Sequence, residues 1–167
     1  PRQLSVLSSR TNKNGVNINR NFPYMWSAGN DGEHNNSGTA PMSEYETKTL
    51  MNWFESNADA IYYMDCHNSG YYNEVVYFAP SPLADDDFVN VAYKGFNKGI
   101  SLIKERLINV RGISESDNII SYVGRTGMPA TTTSGANQKG INSIVIEFSE
   151  RMNHEVIHAT NYTIGTT

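Results

Sequence analysis

The sequence predicts an α/β fold, a mixed and mostly buried central sheet with helices on both faces. Three observations carry that prediction. The apolar residues Phe88, Val91, Ala92, Phe96, Ile100, Ile103 and Leu107 recur largely at spacings of three and four, the period of one helix face. Ile144-Val145-Ile146 is continuously apolar, as in a strand covered on both sides. Helical and strand patterns then alternate along the chain, which marks layered α/β packing.

The elements follow in chain order. Residues 10–22 carry Arg10 and Arg20 around a turn rich in Asn and Gly, followed by a short strand. Ser43 with Glu46 three residues on, Pro41 before them and Leu50, Met51, Trp53 and Phe54 beyond predict a capping box opening a helix over 43–56. Residues 60–66 form a β-rich apolar run ending at His67, and 74–78 form a second bounded by Pro80 and Pro82; both read as inner strands. The helix over 85–107 opens on three aspartates, whose charge suits the positive helix end. Residues 111–140 are polar and rich in Gly, Thr and Ser, and a last strand runs over 141–148.

A length of 167 residues is enough for one domain with its own core, so residues 1–167 are expected to be a single domain. The start at Pro1, with no Met or signal-like region, and the polar finish over 159–167 suggest a piece of a larger domain, truncated at both ends. No run approaches the roughly 18 apolar residues of a membrane span, so a membrane partner is not expected. A net charge of -4 leaves no overall positive field to gather phosphates, so nucleic acid is not expected either. The single cysteine, Cys66, excludes an intramolecular disulfide framework and does not choose a compartment.

Four blocks carry chemistry. The first is Gly15-Val16-Asn17-Ile18-Asn19-Arg20-Asn21-Phe22 preceded by Arg10; an arginine among side-chain amides suits a forked grip on a carboxylate, although a loop with surface arginines has the same pattern. The second is Gly38-Thr39-Ala40-Pro41-Met42-Ser43-Glu44-Tyr45-Glu46. The third is Asp65-Cys66-His67-Asn68-Ser69-Gly70, in which His67 could equally be a strand-end histidine satisfied by the backbone. The fourth is Ser143-Ile144-Val145-Ile146-Glu147-Phe148. A carboxylate in so apolar a strand would be desolvated, a condition that suits a general base, while a buried ion pair with an arginine is the plainer alternative.

In their order and separations the four blocks resemble the zinc carboxypeptidase family, over most of the C-terminal part of its catalytic domain. The resemblance implies hydrolysis of a peptide bond next to a free C-terminal carboxylate, on a peptide or peptide-like substrate. It implies that His67 is a zinc ligand, Glu147 the general base and Arg10 the group that stabilises the oxyanion. Asn19 and Arg20 would clamp the terminal carboxylate, and Tyr122 is the nearest candidate for the tyrosine that folds over the substrate. The stretch 130–134 would line the pocket for the terminal side chain, and it carries no fixed charge. The family's address slightly favours a secreted or extracytoplasmic setting.

Two departures stand out. Asn17 occupies the family's aspartate position, replacing a carboxylate that would orient a ligand histidine from behind. The family's remaining zinc ligands form a His-x-x-Glu motif, which is not found before Arg10, so it is expected upstream of this chain, and the isolated fragment is expected to be inactive. Two alternatives stay open. One is a non-catalytic module that binds peptide C-termini through Arg10, Asn19 and Arg20. The other is a zincin-type protease using His154-Glu155-Val156-Ile157-His158, which matches His-Glu-x-x-His but is followed by no further His, Glu or Asp.

Overall fold

The computed structural model describes residues 10–29, 35–68, 76–111, 120–122 and 130–148. In chain order these form a 3-10 turn Ile18–Arg20, α1 Tyr45–Ser56, β1 Tyr63–Asn68, β2 Val76–Pro80, α2 Asp86–Arg111, β3 Ile120–Tyr122, α3 Thr132–Gln138 and β4 Ser143–Phe148. They divide between two compact units, one of Pro1–Tyr63 with Gly127–Ile141 and one of Met64–Thr126 with Asn142–Thr167.

The first unit is built on α1, α3 and the turn. Thr47, Met51 and Phe54 recur at four and three along α1 and are its buried face. Met51 and Phe54 join Phe22, Ala136 and Ile141 in one apolar cluster, and Tyr63 meets Phe54 edge-on at 5.0 Å between ring centres. Gly135 lets α3 close on this cluster, because a Cβ there would stand 2.4 Å from Phe22 Cδ1. Trp53, expected with the apolar set, faces outward at 51% exposure.

The helix opens differently from the capping-box expectation. Glu44 is the N-cap of α1 and makes no side-chain cap bond. Ser43 Oγ instead donates to Glu44 Oε1 at 2.8 Å and accepts from Asn21 Nδ2 at 3.0 Å, so the capping side chains are drawn into the preceding loop. A second departure is α3, which lies in the polar stretch given no element. Its N-cap Thr131 and Ser134 form a reciprocal capping box, with a serine in the place usually taken by Glu or Gln.

The second unit holds a four-stranded mixed sheet in the order β1-β4-β2-β3. β2 runs parallel to β3, with Phe78 opposite Tyr122, and antiparallel to β4, with Tyr77 opposite Glu147. Successive residues Ile144, Val145 and Ile146 of β4 are all buried, so both faces of that strand are covered. Among the described strands β2 is inner as expected, whereas β1 is an edge whose polar residues Asp65, Cys66 and His67 keep access to solvent. β1 also begins later than the 60–66 run: Ala60 N donates to Asn57 O, closing the turn after α1, and Ile61 is exposed. Of the 74–78 run, residues 74 and 75 lie outside the described residues.

Asp85 caps α2, its Oδ1 accepting from the backbone N–H of Asp87 at 2.9 Å and Phe88 at 3.1 Å. Of the expected set, Phe96 is buried and Phe88 and Ala92 are half-buried, while Val91 is 71% exposed and Val89, two residues before it, is buried in its stead. No helix among the described residues is long and apolar enough to cross a membrane.

Candidate active site

In the first unit, Arg10 and Arg20 stand at the two ends of a turn that polar side chains hold rigid. Asn12 Oδ1 accepts from the backbone of Asn14 and Val16, at 3.0 and 3.1 Å, and Gly15 closes the turn at φ 75°. Asn12 and Asn14 then each point Nδ2 at Glu44 Oε2, at 2.8 and 2.7 Å. These two bonds, with Ser43 and the Lys48 charge, hold the Glu44 carboxyl below its usual range against the opposing effect of burial. Asn21 is fully buried, its Oδ1 accepting from Glu44 N and its Nδ2 donating to Ser37 O and Ala40 O. The Arg10 side chain is exposed.

Asn19 and Arg20 leave this frame with a defined polarity. Asn17 caps the 3-10 turn by accepting from Asn19 N at 3.1 Å. Asn19 Oδ1 accepts from Thr132 N at 2.9 Å and from Thr132 Oγ1 at 3.3 Å. Arg20 Nη1 donates to Asn19 O at 2.7 Å. The residue before the threonines, Ala130, is held at φ 59° by backbone bonds to Tyr24 O and from Phe22 N. A non-glycine residue is kept in that region only where the surroundings over-determine it.

In the second unit, neighbouring strands β1 and β4 bring His67 and Glu147 together. His67 Nδ1 lies 3.9 Å from Glu147 Oε1, and His67 Nε2 lies 3.0 Å from Asp65 Oδ2, two residues back along the same strand. Asp65 is the member of this trio that sequence reasoning did not single out. The signal was the i, i+2 spacing, which puts both side chains on one face of a strand. Glu147 differs from expectation in its surroundings. Its side chain keeps 35% exposure and its near neighbour is His67, so the apolar strand does not wrap the carboxylate and the described residues pair it with no arginine. Next to it in sequence, Ile146 is fully buried, because alternate side chains take opposite faces. Burial first, and the Asp65 charge second, push the Cys66 thiol up, so it carries little thiolate at neutral pH.

The model of the zinc carboxypeptidase family matches residues 5–164. The chain belongs to the zinc carboxypeptidase family. No curated protein matches it significantly. The donor chemistry of His67 fits a metal ligand, since a ligand imidazole is commonly held by a carboxylate on its other nitrogen. Among the described residues no group of three or more His, Cys, Asp or Glu could hold a metal ion. Tyr122 ends β3 opposite Phe78, and its side chain lies outside the described residues, as do His154, Glu155 and His158.

Proposed function

We propose that this chain is the part of a zinc-dependent carboxypeptidase that binds the substrate's C-terminal carboxylate and supplies the catalytic base. The observation that supports the catalytic reading is the 3.9 Å approach of His67 Nδ1 to the Glu147 carboxylate, in a chain matched by the family over nearly its whole length. Zinc, when bound, lowers the pKa of a water molecule and polarises the scissile carbonyl. His67 would be one of its ligands, the others being a His-x-x-Glu pair that these residues do not contain. Glu147 takes the proton of the attacking water on a carboxylate oxygen and returns it to the departing amine nitrogen. Arg10 donates to the carbonyl oxygen as negative charge develops there. Asn19 and Arg20 hold the terminal carboxylate by donated hydrogen bonds, and Tyr122 covers the substrate.

In the zinc-loaded enzyme Glu147→Gln is expected to lower kcat by at least about 10³-fold while zinc content and Tm barely change, the scale for a group that acts in the transition state. Near-normal turnover would refute the assignment. Carboxylate binding with no turnover in the zinc-loaded wild type would favour the binding-module reading instead.

A further inference from the structure

We propose that Thr132 sets the selectivity of the Asn19–Arg20 pair, by fixing Asn19 as a donor so that the pair accepts a carboxylate and rejects an amide. The inference rests on the reading of Asn19 and Arg20 as the terminal-carboxylate clamp. A side-chain amide is ambivalent: it can turn either its oxygen or its NH₂ toward a ligand, and so could serve a carboxylate or a carboxamide equally. Asn19 has lost that choice. Thr132 N can only donate, so the atom 2.9 Å from it must be the amide oxygen, and Thr132 Oγ1 adds a second contact to the same atom at 3.3 Å. The backbone of Asn19 is held as well, its N–H donating to Asn17 Oδ1 at 3.1 Å.

With Oδ1 engaged, Nδ2 is the group left to face a ligand, and among the described residues it has no hydrogen-bond partner. Arg20 reinforces the polarity, because a guanidinium has five donors and no acceptor. Its Nη1 is steered by the carbonyl of Asn19 itself at 2.7 Å. The pair therefore offers donors only. A carboxylate is acceptor-only and can accept from both side chains, whereas a C-terminal amide brings an NH₂ that finds no acceptor on either side chain. Thr132 is a positioning residue that acts through Asn19.

The test uses Thr132→Pro, which deletes the donating N–H at the helix position most tolerant of proline. Thr132 is the first residue of α3, and Thr131 before it is already extended at φ -96° and ψ 162°, as a residue preceding proline must be. The probes are N-acetyl-L-phenylalanine and its C-terminal amide, titrated by NMR against wild type, Thr132→Pro and Thr132→Ser. The charge of Arg20 is common to all three proteins, so the change in the carboxylate-to-amide affinity ratio reports Asn19. That ratio is expected to fall about tenfold in Thr132→Pro and to be retained in Thr132→Ser, the scale of one hydrogen bond. In the ligand-free chain the Thr132 amide should be protected from hydrogen exchange, and Asn19→Ala should remove the protection. An unchanged ratio in a folded Thr132→Pro overturns the proposal, as does equal Thr132 exchange in wild type and Asn19→Ala. The exchange comparison stands alone if the proline variant fails to fold. If Thr132 is protected but wild type binds neither probe, the carboxylate-clamp reading is what fails, and the selectivity inference falls with it.

Discussion

Replacing Glu44 by glutamine tests the joint between the arginine turn and α1. The carboxylate accepts from Asn12 Nδ2 at 2.8 Å, Asn14 Nδ2 at 2.7 Å and Ser43 Oγ at 2.8 Å, in a residue only 6% exposed. The substituted amide keeps an oxygen for the two asparagines, so what is lost is the charge assistance. A hydrogen bond to a charged group contributes about 1.5–3 kcal/mol against about 0.5–1.5 kcal/mol for a neutral one, so two such bonds make the loss about 2 kcal/mol. In a domain of this length that lowers Tm by about 4–8 °C. The sign of the pH dependence follows from the direction of the pKa. The folded carboxyl is held below its ordinary value by Asn12 first and Asn14 second, so its stabilisation is complete above the unfolded value and is lost as pH falls through the folded one. Thermal melts of wild type and Glu44→Gln should therefore differ fully near pH 7 and converge below about pH 4. A gap that persists unchanged into acid, or no gap at neutral pH, would refute the reasoning.

Two further outcomes are expected. Gly135→Ala would force a Cβ to 2.4 Å from Phe22 Cδ1 and 3.0 Å from Met51 Sδ, and should cost about 1–3 kcal/mol in urea unfolding; an unchanged midpoint would mean that α3 does not close on Phe22. Zinc titration by calorimetry of wild type, His67→Ala and the His154→Ala/His158→Ala double variant should find weak or no binding, because a catalytic site needs about three protein ligands. Submicromolar binding that survives His67→Ala and vanishes in the double variant would instead select the zincin-type motif.

What the sequence revealed of this fold depended on periodicity. The long helix was legible because it sustains one period over several turns, a span that averages out single misfits such as Val91, and the strand carrying Glu147 because its apolar run is continuous. α3 was not legible. Its seven residues, Thr-Thr-Ser-Gly-Ala-Asn-Gln, show no apolar stripe, since Thr132, Thr133, Ser134 and Gly135 are themselves buried, Thr133 and Ser134 bonding Thr131 and Thr132 bonding the distant Asn19. Composition marks such a segment as loop, and only tertiary contact makes it a helix. Ser43 and Glu46 misled for a related reason: the spacing was right for a capping box, but Asn21 Nδ2 engages the Ser43 oxygen and Asn12 Nδ2 lies 3.4 Å from the Glu46 carboxylate oxygens. The candidate site could be proposed from residue types. His67 and Glu147 were nameable from their strands, whereas Asp65 behind His67 and Thr132 behind Asn19 needed coordinates, one because its role is geometric, the other because its donor is a backbone atom that every residue but proline carries.

The asparagines explain how the first unit can present arginines to an anion. Twenty occur in the chain, and Asn12, Asn14, Asn17, Asn19 and Asn21 all fall in the turn between and just beyond Arg10 and Arg20. Aspartate would cap and brace these turns as well as asparagine does, since Asn12, Asn17 and Asn19 each use Oδ1 as an acceptor. Yet an aspartate at position 19 would set a negative charge within the proposed clamp and repel the carboxylate that the pair is proposed to hold. Amides give the same acceptors without that charge, and their NH₂ groups do what no carboxylate could: Asn12 and Asn14 clamp Glu44, and Asn21 holds the backbone of Ser37 and Ala40. The one buried acid of this frame, Glu44, is kept ionised by amide donors rather than by either arginine. Much of the turn's rigidity thus comes from side-chain amides, while Arg20 itself touches the frame at the Asn19 carbonyl.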